Sequence, residues 1–181
     1  CELLQWLVKS TQAKRVLEIG SFCGVGSLAL AEALPEDGEL VSLELDSFVV
    51  NFGRRFVGSQ QHVHTMLGPA KDSLQQLVAQ AKKGAKAFDL VVVDADKEGM
   101  IGYFELLWQT PGLLSEHAVV GVDMTPFKGQ PPLRYQKFGF PYRCETSSGD
   151  EQINSLRASM QQSSEFTHHE FGGLLMVQKA N

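Results

Sequence analysis

"RVLEIGSFCGVGSLALAEALPEDGELVSLELD" runs from Arg15 to Asp46 and decides the fold. "RVLEIGS" is a short apolar run ending in glycine and serine, as a buried strand does. "VGSLALAEALPEDG" has the composition of a helix and is closed by Pro35 and Gly38. "ELVSLELD" is a second apolar run of strand length. The stretch therefore reads strand, glycine loop, helix, strand.

The same alternation continues in both directions. "CELLQWLVKSTQ" places Leu3, Leu4, Leu7 and Val8 at helical spacing. "SFVVNFGRRFVGSQ" reads as a helix weakened by its two glycines. "HVHTMLG" is a third strand and "AKDSLQQLVAQAKKG" a helix that ends at Gly84. "FDLVVVDAD" is a continuous β-branched run, the kind found at the centre of a parallel sheet. "GYFELLWQTPGLL" is helical up to Pro111, "HAVVGVD" is a fifth strand, and "DEQINSLRASMQQS" a last helix. "EFTHHEF" and "GLLMVQKA" close the chain around a Gly-Gly pair, which suggests an antiparallel hairpin. Strands alternating with helices predict a doubly wound α/β fold, mostly parallel, with the hairpin at one edge. Residues 1–181 fit one domain.

Composition narrows the function. The chain of 181 residues is 43% hydrophobic and 20% charged, with a net charge of −5. That is globular, and no basic cluster offers a nucleic-acid surface. No apolar stretch reaches membrane-spanning length. Three cysteines without motif spacing point to reduced thiols and a cytoplasmic setting. One long stretch lacks helix or strand character. "TPFKGQPPLRYQKFGFPYRCETSSGD", Thr125 to Asp150, carries four prolines and five aromatic residues. A loop of that length after a strand is either functional or a surface insertion packed on itself.

Candidate residues gather at strand ends, where ligands bind in open α/β sheets. Gly20, Gly24 and Gly26 let the backbone approach a ligand at a helix N-terminus, although a tight strand-to-helix turn also uses glycine. Their order is not G-x-G-x-x-G, which speaks against a nicotinamide cofactor. Glu44, at the end of the second strand, is placed to accept hydrogen bonds from ribose hydroxyls, or else is a solvated strand-end carboxylate. Glu18 lies among Val16, Leu17 and Ile19, and a carboxylate buried there needs partners. Asp94, Asp96 and Lys97 cluster beyond the strongest strand, and Asp123 ends the fifth. His62 and His64 share a strand face without an acidic or cysteine partner nearby, so they read as ordinary histidines, as do His168 and His169.

Together, "VLEIGSFCGVGSLALAEALPEDGELVSLELD", "GPA", "FDLVVVDADKEGMIGYFELL" and "VVGVDMTPFKG" resemble S-adenosylmethionine-dependent O-methyltransferases of the caffeoyl-CoA and catechol group. The likeness runs from about Glu2 to Gly129. It implies a Rossmann-like methyltransferase fold and transfer of a methyl group to a hydroxyl of a small catechol-like or enol acceptor. It implies N-terminal helices ahead of "CELLQWLV" that this chain does not carry. It places Glu18, Gly20, Ser21 and Gly26 at the methionine end of the cofactor, Glu44 on the ribose, Ala70 by the adenine and Asp96 near the amino group. Gly26 stands where the family usually has serine, and Val25 where it often has tyrosine.

The family's reaction centre uses two aspartates and an asparagine to hold a divalent ion, usually magnesium. Asp94 and Asp123 match the aspartates, and Lys97 matches the lysine that takes the acceptor's proton or steadies the oxyanion. Met124 stands at the asparagine position, and a thioether is a poor ligand for a hard cation. Three outcomes stay open: weak or substrate-assisted metal binding, metal-free transfer, and a degenerate domain that binds cofactor or partners without catalysis. A homodimer, or a place within a larger chain, is also open.

Overall fold

The structure is a computed structural model that describes residues 1–57, 62–126, 138–139 and 149–180. Seven strands form one sheet in the order β3-β2-β1-β4-β5-β7-β6. They are β1 (Arg15–Ile19), β2 (Glu39–Glu44), β3 (Val63–Leu67), β4 (Phe88–Val93), β5 (Leu114–Asp123), β6 (Phe166–Phe171) and β7 (Leu174–Lys179). The first five pair in parallel; β7 runs antiparallel to β5, and β6 antiparallel to β7. The helices are α1 (Glu2–Ser10), α2 (Val25–Ala33), α3 (Ser47–Val57), α4 (Ala70–Ala81), α5 (Met100–Gln109) and α6 (Asp150–Gln162). The alternation read from the sequence is therefore the fold, and the closing hairpin lies at the sheet's edge.

Strand alternation sorts the core into two layers. Leu17, Ile19, Leu43, Val91, Val93, Val120 and Val122 face one way, against Leu74 and Leu77 of α4, Phe104 and Leu107 of α5, and Leu156 and Met160 of α6. Val16, Leu40, Leu90 and Val92 face the other way, against Leu7 and Val8 of α1 and Leu30 of α2. Both faces of β1 and β4 are covered, which is why their sequences are continuous apolar runs. The hairpin turn uses Gly172 and Gly173, both at positive φ, as a two-residue loop requires. Arg157 of α6 donates two hydrogen bonds to the Glu170 carboxylate of β6, at 2.8 and 2.5 Å, and ties the last helix to the edge.

α3 is a regular helix despite Gly53. A side chain at Gly53 would collide with the backbone carbonyl of Cys23. The glycine that weakens the helix is what lets it press on the loop after β1. β5 begins at Leu114, before the apolar run "HAVVGVD", because pairing with β4 extends back through a register shift to Phe88. Most of the Thr125–Asp150 loop, with Cys144, lies outside the described residues.

Candidate active site

The strand order reverses between β1 and β4, so the chain leaves these neighbours in opposite directions and opens a crevice beyond their carboxyl ends. A cleft of about 540 Å³ lies there. Its floor is Glu18, Gly20, Ser21, Gly26 and Val92; Asp94 and Asp123 stand at one side with Gly172 and Gly173, and Leu3 and Leu4 of α1 at another. That volume is in the range of small-molecule sites.

Gly20 has φ +94°, and a Cβ there would run into the carbonyl of Asp94. Only glycine lets β1 exit past the end of β4. Gly24, also at positive φ, caps α2. At Gly26 a Cβ would stand 2.7 Å from Oε1 of Glu18. The absent side chain therefore leaves that carboxylate oxygen facing the cleft.

Glu18 is 3% exposed. It pairs in register with Ser42 on β2, whose hydroxyl donates to its Oε2 at 2.7 Å. The hydroxyl of Ser27, from α2, donates to the same oxygen. Burial pushes the carboxyl up to about 7, and the two serine hydrogen bonds only partly oppose it. Neither serine was visible as a partner in the sequence, because only the strand register brings Ser42 beside Glu18.

Glu44 sits beneath the loop rather than in the cleft. Its carboxylate accepts the N–H of Phe22 at 2.8 Å and that of Asp46 at 3.0 Å. Phe22 needs such a hold, since it has φ +49° and a largely exposed ring. The carbonyl of Glu44 also accepts the N–H of Gly68, which brings the Gly-Pro-Ala turn beside the second strand's end. Ala70 begins α4 there, packed partly against the core. Asp96 accepts the N–H of Gly99 at 2.6 Å and the hydroxyl of Tyr103 at 2.8 Å, so its carboxylate organises the start of α5. Burial, with Asp96 alongside, raises the Tyr103 hydroxyl above its ordinary range.

Asp94 and Asp123 do end neighbouring strands, and their carboxyl groups meet. Burial raises the Asp94 carboxyl, Asp123 adds to the rise, and Lys97 opposes it. Asp123 has its own partners. Lys97 Nζ donates to its backbone oxygen at 2.6 Å and to Oδ2 at 2.7 Å. The Thr125 hydroxyl lies 2.6 and 2.7 Å from the two carboxylate oxygens. Lys97 is held with its stem against Gly149, where a side chain would strike its Cβ and Cγ.

Met124 corrects an expectation. Its side chain is 2% exposed and packs in the core cluster with Val120 and Val122, just past the end of β5. Its N–H donates to Gly173 at 2.7 Å. The methionine therefore serves the core and is not turned to the cleft. Among the described residues no three His, Cys, Asp or Glu side chains come together as a metal site, His62, His64, His168 and His169 included. Asp94 and Asp123 are the two carboxylates placed to hold a cation, and Lys97 already occupies Asp123.

A doubly wound sheet with a glycine loop, an acidic residue in β1 and a cleft at the switch point is a Rossmann-like arrangement for a small-molecule ligand. The O-methyltransferase family profile matches residues 1–131, and the chain belongs to that family. It is 36% identical over 132 residues to catechol O-methyltransferase domain-containing protein 1 of Mus musculus, covering 71% of this chain and 48% of that protein. It is 32% identical over 131 residues to caffeoyl-CoA O-methyltransferase 1 of Eucalyptus globulus, covering 71% and 51%. The chain spans about half the length of the curated relatives it matches. Its fold superposes with a TM-score of 0.74 on the O-methyltransferase TomG of Streptomyces achromogenes, solved in complex with S-adenosylmethionine. That likeness is 27% identical and covers 99% of this chain and 79% of that one. No described helix is long and apolar enough to cross a membrane.

Proposed function

We propose that residues 1–181 form one methyltransferase unit that uses S-adenosylmethionine to methylate a hydroxyl of a small acceptor. One observation carries the reading: a single cleft has a desolvated carboxylate, Glu18, at its β1 end and two carboxylates, Asp94 and Asp123, at its β4–β5 end, with Lys97 buried behind them on Asp123.

The cofactor supplies a methyl group on a positively charged sulfur and carries an ammonium on its methionine part. Glu18, bared by Gly26, would take the ammonium end. Gly20 and Ser21 would lie along the same part, with no side chain at Gly20 to block it. Glu44 would act on the ribose directly or by holding the Phe22 loop in place; Ala70 would border the adenine. Asp96 contributes by fixing the turn that carries Lys97. Lys97 donates to two oxygens of Asp123. It would steady the acceptor's oxyanion while methyl transfer proceeds. The acceptor is a small hydroxyl compound of catechol-like or enol type.

Calorimetric titration with S-adenosylmethionine and its demethylated product, S-adenosylhomocysteine, tests the cofactor half. Turnover on a panel of phenols, catechols and enols tests the transfer half. Absence of cofactor binding would defeat the proposal. Binding without turnover on any acceptor would instead favour a degenerate domain, a reading to which the self-contained Lys97–Asp123 pair also lends support.

A further inference from the structure

We infer that Lys97 is the resident cation of the reaction centre, in place of a divalent ion, and that the acceptor is consequently a compound with one acidic hydroxyl. The inference rests on the methyl-transfer reading above. Its ground is the chemistry of the donors. Asp123 spends its carboxylate on the Lys97 ammonium and the Thr125 hydroxyl. The neighbouring position, Met124, turns into the core. Asp94 and Asp123 both line the cleft, but Lys97 already sits on Asp123 and beside Asp94, and with a thioether at position 124 two shared carboxylates leave few free oxygens for magnesium or calcium.

The substitution of one cation for another changes what the site can recognise. A divalent ion binds two adjacent oxygens and lowers the pKa of one of them. An ammonium is a compact point charge with three donors, two of which Asp123 already occupies. One donor remains for one oxygen. A second, vicinal hydroxyl has no partner to reward it. The acceptor must also ionise with less help, so an acidic phenol or enol is favoured over a simple alcohol. It releases its proton to solvent, its oxygen gains the methyl group, and the sulfur keeps the electron pair of the broken bond. The negative and positive charges cancel.

The decisive test reads cation binding without turnover. Manganese(II) is titrated against the full chain saturated with S-adenosylhomocysteine, with free Mn(II) followed by its electron paramagnetic resonance. The parent protein should leave the ion free up to millimolar concentration. Lys97→Met keeps the stem packed on Gly149 but removes the charge, leaving two carboxylates and the Thr125 hydroxyl facing one another. It should bind Mn(II) at least tenfold more tightly, and Lys97→Met/Asp123→Asn should lose that gain. Micromolar binding by the parent, abolished by Asp123→Asn, would overturn the inference. If Lys97→Met does not fold, the parent titration decides alone. Turnover adds a second reading: a nitrophenol should be methylated within twofold of its normal rate in EDTA, and a catechol should hold no advantage over a monophenol of equal acidity. Loss of turnover in EDTA would overturn the inference. Failure of every acceptor would count against the methyl-transfer reading, while the Mn(II) titration would still decide this one.

Discussion

The two ends of the cleft treat a carboxylate in opposite ways. At the β1 end, Glu18 is buried, its described hydrogen-bond partners are two serine hydroxyls, and the nearby charges are the carboxylates of Asp94 and Glu44. At the β5 end, Asp123 is paired with a cation from its own chain. A desolvated carboxylate with neutral partners gains most from a cation that arrives with a ligand. A carboxylate already paired gains little. The first end is thus tuned to a positively charged guest, while the second carries its own cation, Lys97, between two carboxylates.

The largest effect should come from removing that cation. Lys97→Met is expected to lower turnover by roughly 10²–10⁴-fold, as loss of a group that stabilises developing charge does. Cofactor affinity should stay within about threefold, since Lys97 lies at the other end. Steady-state kinetics beside calorimetry checks this, and a variant that loses cofactor and keeps its rate constant would erase the distinction between the ends.

Next in size is a pH effect confined to Glu18. Its folded value of about 7 lies above the ordinary 4.5 because of burial. The unfolded chain therefore gives up this proton at lower pH than the folded one. The stabilisation is complete below about pH 4.5, falls as pH rises, and is gone above about pH 7. At roughly 1.36 kcal/mol per pH unit, the total is about 3 kcal/mol. Denaturant titrations at a series of pH values should show the slope in the parent and not in Glu18→Gln. Cofactor binding near pH 7 should release a proton, seen as a binding enthalpy that varies with buffer. An equal slope in Glu18→Gln would assign it to other groups.

Met124→Asn should destabilise the fold by about 2 kcal/mol, the cost of an amide in an apolar layer. It should bring no tighter magnesium binding, because the side chain at this position packs in the core. Chemical denaturation and a magnesium titration of the same sample decide it. The smallest effect is expected of Glu44→Gln. It keeps one acceptor for the loop and loses the charge, which should weaken cofactor binding by about 1 kcal/mol. An unchanged affinity would show that the Phe22 loop needs no clamp.

The two ends were also unequally legible in the sequence. The alternation of strands and helices follows from local apolar runs and their punctuation, so the sheet and the place of its crevice could be read directly. Gly20 was legible because only glycine suits the exit from β1. The partners of Glu18 were not, since Ser42 becomes its neighbour only through the β1–β2 register. Asp94 and Asp123 were correctly placed on adjoining strands. The pairing of Lys97 with Asp123 was missed because it depends on a turn geometry fixed by Asp96, Gly99 and Tyr103. Met124 was read from its position in a motif, and its burial in the core became visible only in the packing past the end of β5.

The Gly172–Gly173 turn has a consequence for how the molecule assembles. Gly173 receives the N–H of Met124 and pairs β7 with β5, while Gly149 backs Lys97. The reaction end of the cleft is therefore closed by segments far along the chain from the strands they complete. Contacts between such distant segments form slowly. The β1–α2–β2 half, joined by short connections, can organise early. Without the hairpin in place, β5 would be an open edge with unpaired backbone groups beside Asp123, so the Gly-Gly turn also guards the sheet against pairing with a second chain.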